Sequence, residues 1–267
     1  MLEVGGQTRL VGLLRHPLSH SLSPRMQNAA FAARGLDWAY VPLPVEPSRL
    51  EAAAAGLVAL GFVGANVTIP HKTAILAFCD ELDEVAERAG SVNTIVVRDG
   101  RLLGSSTDGA AVVDQVSAAG ARVLVLGAGG AAQAVATALV GAGCASLRVA
   151  ARQPERAHAL ASRLLSLFPE RDVGGEEAWP PQGGDATLVV NATPVRDEAV
   201  VEPASGQTVV DLAYKADGQP TALVAAARDR GCEIVDGLDV LVAQGATSFE
   251  RWTGIPAPVN VMRASVR

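Results

Sequence analysis

The run VLVLGAGGAAQAVATALVGAGC, from Val123 to Cys144, constrains the fold of this chain more than any other stretch. On hydropathy alone it is long enough to cross a membrane, which takes ~20 mostly apolar residues. Its internal order argues otherwise. The first four residues are the Val and Leu of a strand, a glycine cluster follows, and the remainder is alanine-rich with Gln133 inside. A buried strand turning sharply into a helix explains this order. Strands buried on both faces belong to parallel sheets covered by helices.

The chain around it repeats the alternation. Early on, TRLVGLL, DWAYVPLP and GFVGANVTI are expected as strands, with PRMQNAAFAARG and PSRLEAAAAGLVALG as helices. HKTAILAFCDELDEVAERAG carries a helical pattern, and SVNTIVV with RLLGS forms a hairpin turning at Asp99-Gly100. After the helical stretch TDGAAVVDQVSAAG come ARVLVLG, a helix, SLRVAAR, the helix PERAHALASRLLSLF, and the strands DATLVVNAT and GQTVVDLAY. A helix LDVLVAQGATSFERWTG and a short helical tail after Pro258 end the chain, and PPQGGD near residue 180 is expected as a loop. The expectation is an α/β protein of two α/β domains. Residues 1–107 form the first, completed by terminal helices in 238–267 that return to it, and residues 108–237 form a doubly wound, Rossmann-like second domain.

Composition narrows the partners. With 267 residues, 49% hydrophobic and 19% charged, either domain can bury a full core without a disulfide or metal staple. The net charge of -6 argues against nucleic acid as a partner. Cys79, Cys144 and Cys232 are widely spaced and odd in number, which suits buried thiols in a reducing cytoplasm. MLEVGGQTRL shows no basic segment followed by an apolar run, so neither a secretory signal nor a membrane anchor is expected. His16 and His20 are separated by Pro17 and are assigned no role, and no metal site is expected.

GAGGAA, Gly127 to Ala132, lies between strand and helix, where glycines let backbone N–H groups approach a pyrophosphate at a helix N-terminus. The spacing falls short of a full GxGxxG, and such turns also occur for structural reasons. The second strand adds information. A NAD site commonly has an acid at its end for the ribose hydroxyl, whereas RVAARQPER has Arg152 and Arg156 and no acid before Glu155. Guanidinium groups there suit the extra phosphate of NADP, the alternative being two solvated arginines at a helix start.

Four polar motifs remain: HSLSP with Ser21 and Ser23, NVTIPHK with Asn66, Thr68 and Lys72, SVNT with Asn93, and STDG with Asp108. Each sits at a strand or hairpin end, where open α/β sheets place ligands. Hydroxyls, amides, one lysine and one carboxylate suit a hydroxyl-rich small molecule with a single anionic group. Simpler roles compete. Ser21 and Ser23 before Pro24 could cap a helix, Asn66 and Asn93 could satisfy strand-end backbone, Tyr214 could be core, and Lys72 could be a solvated helix-start lysine.

Together these residues resemble the shikimate dehydrogenase family. The likeness runs through HSLSP, GANVTIPHK, SVNT, STDG, GAGGAA, NAT, DLAYK and DGLDVLVAQG, of which NVTxPxK together with TDG is the specific part. The resemblance implies NADP as cofactor and the reduction of 3-dehydroshikimate to shikimate in aromatic amino-acid (chorismate) biosynthesis, by a cytoplasmic monomer or homodimer. It implies that Ser21 and Ser23 bind the substrate carboxylate and that Thr68, Asn93 and Gln244 hold its hydroxyls, with Asn66 and Tyr214 on the substrate side. Lys72 and Asp108 match the catalytic pair. Gly127, Ala128, Gly129, Gly130, Ala131, Arg152, Arg156, Leu212 and Gly237 match cofactor positions.

In that reading Lys72 gives a proton to the alkoxide left by hydride transfer, with Asp108 holding the ammonium. The chain departs from the family pattern at Ser106, where Asn is usual, at Ala151, which replaces the Asn before the cofactor arginine, and at Gln153, which replaces Thr or Ser. Adenine-side contacts are accordingly less well specified than phosphate contacts. Alternatives of the same fold are a quinate/shikimate dehydrogenase and a non-catalytic module that senses a dinucleotide or shikimate.

Overall fold

In the computed structural model, which describes residues 4–17 and 21–267, backbone contacts divide the chain into two compact units. One comprises Met1–Thr107 with Leu241–Arg267, the other Asp108–Val240. The return to the first unit falls inside a helix, a few residues beyond the expected change at 238.

The first unit is built on a mixed six-stranded sheet. Its strands are β1 (Arg9–Arg15), β2 (Trp38–Pro44), β3 (Gly64–Val67), β4 (Glu81–Leu82), β5 (Thr94–Arg98) and β6 (Arg101–Ser105), in the order β2-β1-β3-β5-β6-β4. β1 runs parallel to β2 and β3, and β5 antiparallel to β3 and β6. The β5–β6 hairpin turns as expected at Asp99 and Gly100, both left-handed with φ of 52° and 74°, as a two-residue turn matched to strand twist requires. Helix α1 (Ser23–Ala33) ends before Gly35, and α2 (Leu50–Ala59) follows a 3-10 turn at Pro47–Arg49. Leu14, Leu57, Ala65, Ile75 and Ile95 are fully buried in one shared cluster.

One expected helix is absent. Residues 71–90 divide into a 3-10 turn (Ala74–Phe78), strand β4 and a short helix α3 (Glu84–Ala89). The Asp80 carboxylate accepts the Leu102 N–H at 2.7 Å, and β4 pairs with β6, so the sheet edge captures the segment. Asp83 then caps α3 by accepting the Ala86 N–H at 2.8 Å.

The second unit has six parallel strands: β7 (Arg122–Leu126), β8 (Ser146–Ala150), β9 (Asp172–Gly175), β10 (Leu188–Asn191), β11 (Thr208–Asp211) and β12 (Glu233–Val235). Their order, β12-β11-β10-β7-β8-β9, reverses direction between β7 and β10, the doubly wound arrangement of dinucleotide-binding domains. Helix α4 (Asp108–Val113) precedes β7, and α5 (Gly130–Gly141), α6 (Pro154–Leu167) and α7 (Ala222–Asp229) supply the β7–β8, β8–β9 and β11–β12 crossovers. α4 is half as long as its sequence pattern suggested, and β9 was not anticipated. The run first weighed as a membrane span is β7 followed by α5. Among the described residues no helix is long and apolar enough to cross a membrane.

Helix α8 (Gly237–Thr253) carries the chain back, and α9 (Val259–Val266) ends it. Both C-terminal helices pack on the first unit as expected: the rings of Phe31 and Phe249 stack at 5.5 Å, Trp252 donates its indole N–H to the Ile95 carbonyl at 2.9 Å, and Met262 and Val266 are buried. Of the three cysteines expected to be buried, only Cys144 is. Cys79 and Cys232 are half-buried, because each lies at the margin of its cluster.

Candidate active site

In the first unit the predicted polar residues converge at one end of the sheet. β1 and β3 are parallel and finish there, and antiparallel β5 begins there, so Asn66 and Thr94 are direct partners. The Thr68 N–H donates to Leu14 O at 3.1 Å and the Val67 N–H to Asn93 O at 2.8 Å. The Lys72 carbonyl accepts the Val92 N–H at 2.8 Å, which fixes the backbone of Lys72 beside the entry to β5. His71, in the same motif, is almost fully buried, with its Nε2 2.8 Å from Val45 O. A carbonyl only accepts, so Nε2 carries the proton. Burial keeps the ring below its ordinary pKa and therefore neutral.

Asn93 and Thr107 form a closed pair. The Asn93 amide donates to Thr107 Oγ1 at 2.9 Å, and the Thr107 N–H donates to Asn93 Oδ1 at 2.9 Å. The Thr107 hydroxyl also reaches Gln244 O on α8 at 3.3 Å, and the Gln27 amide of α1 donates to Gly245 O at 2.9 Å. The start of α1 is thereby tied to the same region. There Ser21 Oγ accepts the Ser23 N–H at 3.3 Å, although the N-cap position itself is Leu22, and Ser21 stays half-buried. His20, the first residue of HSLSP, lies outside the described residues.

Asn66 is placed differently from expectation. Its amide N–H groups face Asn93 O, Thr94 Oγ1 and Ser248 Oγ at 3.0, 3.2 and 3.0 Å, and its Oδ1 accepts the Tyr40 hydroxyl at 2.9 Å. Only 6% exposed, it joins β3, β5, β2 and α8 instead of presenting its amide to a ligand. A buried amide needs partners for both ends, and the fold supplies them. Thr94 and Ser248, 2.8 Å apart, complete this network and were missed from sequence, because residues so distant in the chain carry no local signal.

In the second unit, Gly127 leaves β7 with φ of 107° and packs so closely on the next strand's exit that a Cβ would lie 3.2 Å from Ala192 O. A Cβ at Gly129 would meet nothing within 4 Å, leaving open space at the N-terminus of α5. Arg152 and Arg156 are exposed, one past the end of β8 and the other in the first turn of α6. A backbone turn open to an anion, followed by guanidinium groups in place of an acid, fits NADP. Leu212 donates its N–H to Asn191 O at 2.9 Å, and Tyr214 is half-buried beyond it. A side chain at Gly237 would collide with the Ala213 carbonyl oxygen, so that position tolerates only glycine. Asp108, 5% exposed, is the first residue of α4 and of this unit, whereas Lys72 belongs to the other.

Comparison with known proteins places these features in a family. Family models match residues 13–95 (shikimate dehydrogenase substrate binding domain), 110–168 (shikimate / quinate 5-dehydrogenase) and 237–267 (shikimate 5'-dehydrogenase C-terminal domain). A protein of Moorella thermoacetica named shikimate dehydrogenase (NADP(+)) is 46% identical, with 100% of this chain and 95% of that one covered. The chain belongs to the shikimate dehydrogenase family. Among solved structures of this breadth, a shikimate 5-dehydrogenase of Thermus thermophilus in complex with NADP(H) and shikimate is 32% identical, with a TM-score of 0.83 and coverage of 97% of this chain and 99% of the other. A ligand-free 5-ketofructose reductase of a Gluconobacter strain is 31% identical, with a TM-score of 0.84 and coverage of 98% and 99%. The shikimate dehydrogenase fold is thus shared with a reductase of another ketone. Within this shikimate dehydrogenase family member, the unusual Ser106 is 3% exposed and its hydroxyl finds no hydrogen-bond partner.

Proposed function

We propose that this protein is an NADP-dependent shikimate dehydrogenase that reversibly reduces 3-dehydroshikimate to shikimate, the first unit binding the substrate and the second the cofactor. The observation that carries the reading is the full-length match to a protein of that name at 46% identity. The arginines at the end of β8 support the choice of NADP. NADPH supplies the hydride that reduces the carbonyl carbon. As that carbon gains the electron pair, negative charge develops on the ketone oxygen, and the Lys72 ammonium donates a proton to it. In the reverse direction the neutral Lys72 amine takes the proton from the hydroxyl. Asp108 is the second member of the proposed catalytic pair. Ser21 and Ser23 serve the substrate carboxylate, and Thr68, Asn93, Tyr214 and Gln244 its hydroxyls and ring.

A quinate/shikimate dehydrogenase, or a reductase of another polyhydroxy ketone, uses the same parts, and the likeness to 5-ketofructose reductase keeps that reading in the test. A purely sensing module is disfavoured by the presence of both Lys72 and Asp108. The free thiols of Cys79, Cys144 and Cys232 suit a reducing cytoplasm, and the enzyme is monomeric or homodimeric, a choice that sedimentation velocity decides.

The assay follows NADPH oxidation with 3-dehydroshikimate, 3-dehydroquinate and 5-ketofructose, and repeats the best pair with NADH. Turnover highest with 3-dehydroshikimate and NADPH is expected. Lys72→Ala should lower kcat by roughly 10²- to 10⁴-fold with substrate binding largely kept, as loss of a general acid does. Undiminished kcat in that variant would remove Lys72 from the chemistry.

A further inference from the structure

The second unit contains a buried carboxylate for which neither the chemistry nor the cofactor contacts above provide a use. Asp211 is 0% exposed at the end of β11, directly beside Asn191 at the end of β10. Its Oδ1 accepts the Asn191 amide at 2.8 Å and the Ala213 N–H at 2.9 Å, and its Oδ2 accepts the Thr221 hydroxyl at 2.5 Å. From these partners the hydrogen bonds continue outward on both sides. Asn191 Oδ1 accepts the Thr193 N–H at 3.0 Å and the Thr193 hydroxyl at 2.7 Å. Thr221 in turn caps α7, accepting the Val224 N–H at 3.2 Å. A charge buried this completely is costly unless every lone pair has a purpose.

What hangs on this carboxylate is the shape of the loops that follow β10 and β11. On one side Thr193 and Ala192 form the wall against which Gly127 packs. On the other, Ala213 precedes Tyr214 and sets the close approach at Gly237. A pocket of this unit is lined by Ala213, Tyr214, Thr221 and Gly237 among others, and two of those four are bonded directly to Asp211. In a doubly wound sheet a dinucleotide lies across the switch point. A dinucleotide whose adenine half met Arg152 and Arg156 beyond β8 would have its other half toward the ends of β10 and β11.

We propose that Asp211, through Asn191 and Thr221, is the positioning residue that holds the two loops after β10 and β11 in the shape that receives the nicotinamide half of NADPH. The proposal rests on the functional reading above, in that it requires NADPH to bind this unit. Asp211 touches no reacting atom in this account. It acts through Thr193 on one side and through Ala213 on the other.

The test compares binding of NADPH, followed by its fluorescence, with binding of 2′-phospho-ADP-ribose, which lacks nicotinamide, followed by calorimetry, in the full-length protein. Asp211→Asn keeps the shape but puts a donor where only an acceptor fits. It is expected to weaken NADPH by about tenfold, the size of one lost charge-assisted hydrogen bond, and to leave 2′-phospho-ADP-ribose within twofold. Thr221→Val, a milder lesion, should weaken NADPH in the same selective way, and Thr221→Ser should restore it. Equal weakening of both ligands, or of neither, overturns the proposal, as does a Thr221→Ser variant no better than Thr221→Val. Failure of the unaltered protein to bind NADPH at all would instead overturn the functional reading itself.

Discussion

At the scale of single residues, the ionisable groups inside the fold are held in states that make stability depend on pH. Burial, opposed by bonds to Thr221, Ala213 and Asn191, raises the pKa of Asp211 from 3.8 to about 6, with Asp236 adding to the rise. The folded protein therefore binds this proton more tightly than the unfolded chain, and between pH 3.8 and about 6 the stability contributed by Asp211 is lost as pH rises. The whole window amounts to about 3 kcal/mol at most. Urea unfolding at several pH values in this range should show a falling contribution that Asp211→Asn removes. An identical pH slope in the variant would rule out Asp211 as its source. His71 acts in the opposite sense: its lowered pKa means that the folded state resists protonation, so its contribution is present above 6.5 and is lost as pH falls below 6.5 toward the lowered folded value. Little of this was legible in the sequence. Lys72, Asp108 and the serines stood out because their motifs are short and local, whereas Asp211, His71 and the Asn66 network acquire their roles from partners far along the chain.

At the scale of elements, what could be read depended on how local the determinant is. The β5–β6 hairpin was legible from two residues, since Asp-Gly is a chemistry that left-handed turns demand. Gly100→Ala should accordingly cost about 1–2 kcal/mol in denaturant unfolding, the penalty of an L side chain in left-handed backbone. Gly100→Asn should cost less, because Asn tolerates that region. If the two variants were equally stable, the turn would not be setting the register. Strands β7, β8, β10 and β11 of the second unit were legible because each is a mainly apolar run in a sheet covered on both faces. The 71–90 segment misled because its apolar spacing matches a helix, and the capture of Glu81 and Leu82 by β6 is a pairing that no local window contains. Likewise β9, with two glycines in four residues, has none of the composition that marks a strand.

At the scale of the molecule, two units with separate sheets and cores are expected to respond separately to their ligands. At 100 times its dissociation constant, a ligand stabilises the unit that binds it by about 2.7 kcal/mol. Calorimetric unfolding with NADP+ should therefore move the transition of the Asp108–Val240 unit, and shikimate that of the other. A single transition shifted equally by both would mean that the units unfold as one. The route of the chain has a further consequence for biosynthesis. Since α8 and α9 follow the second unit in the chain and Phe249 stacks on Phe31, the first unit cannot finish its core until those helices have been synthesised, whereas the inserted middle unit can already be complete. A nascent polypeptide stalled near Val240 would carry one finished body and one with an apolar face uncovered, a species suited to chaperone capture.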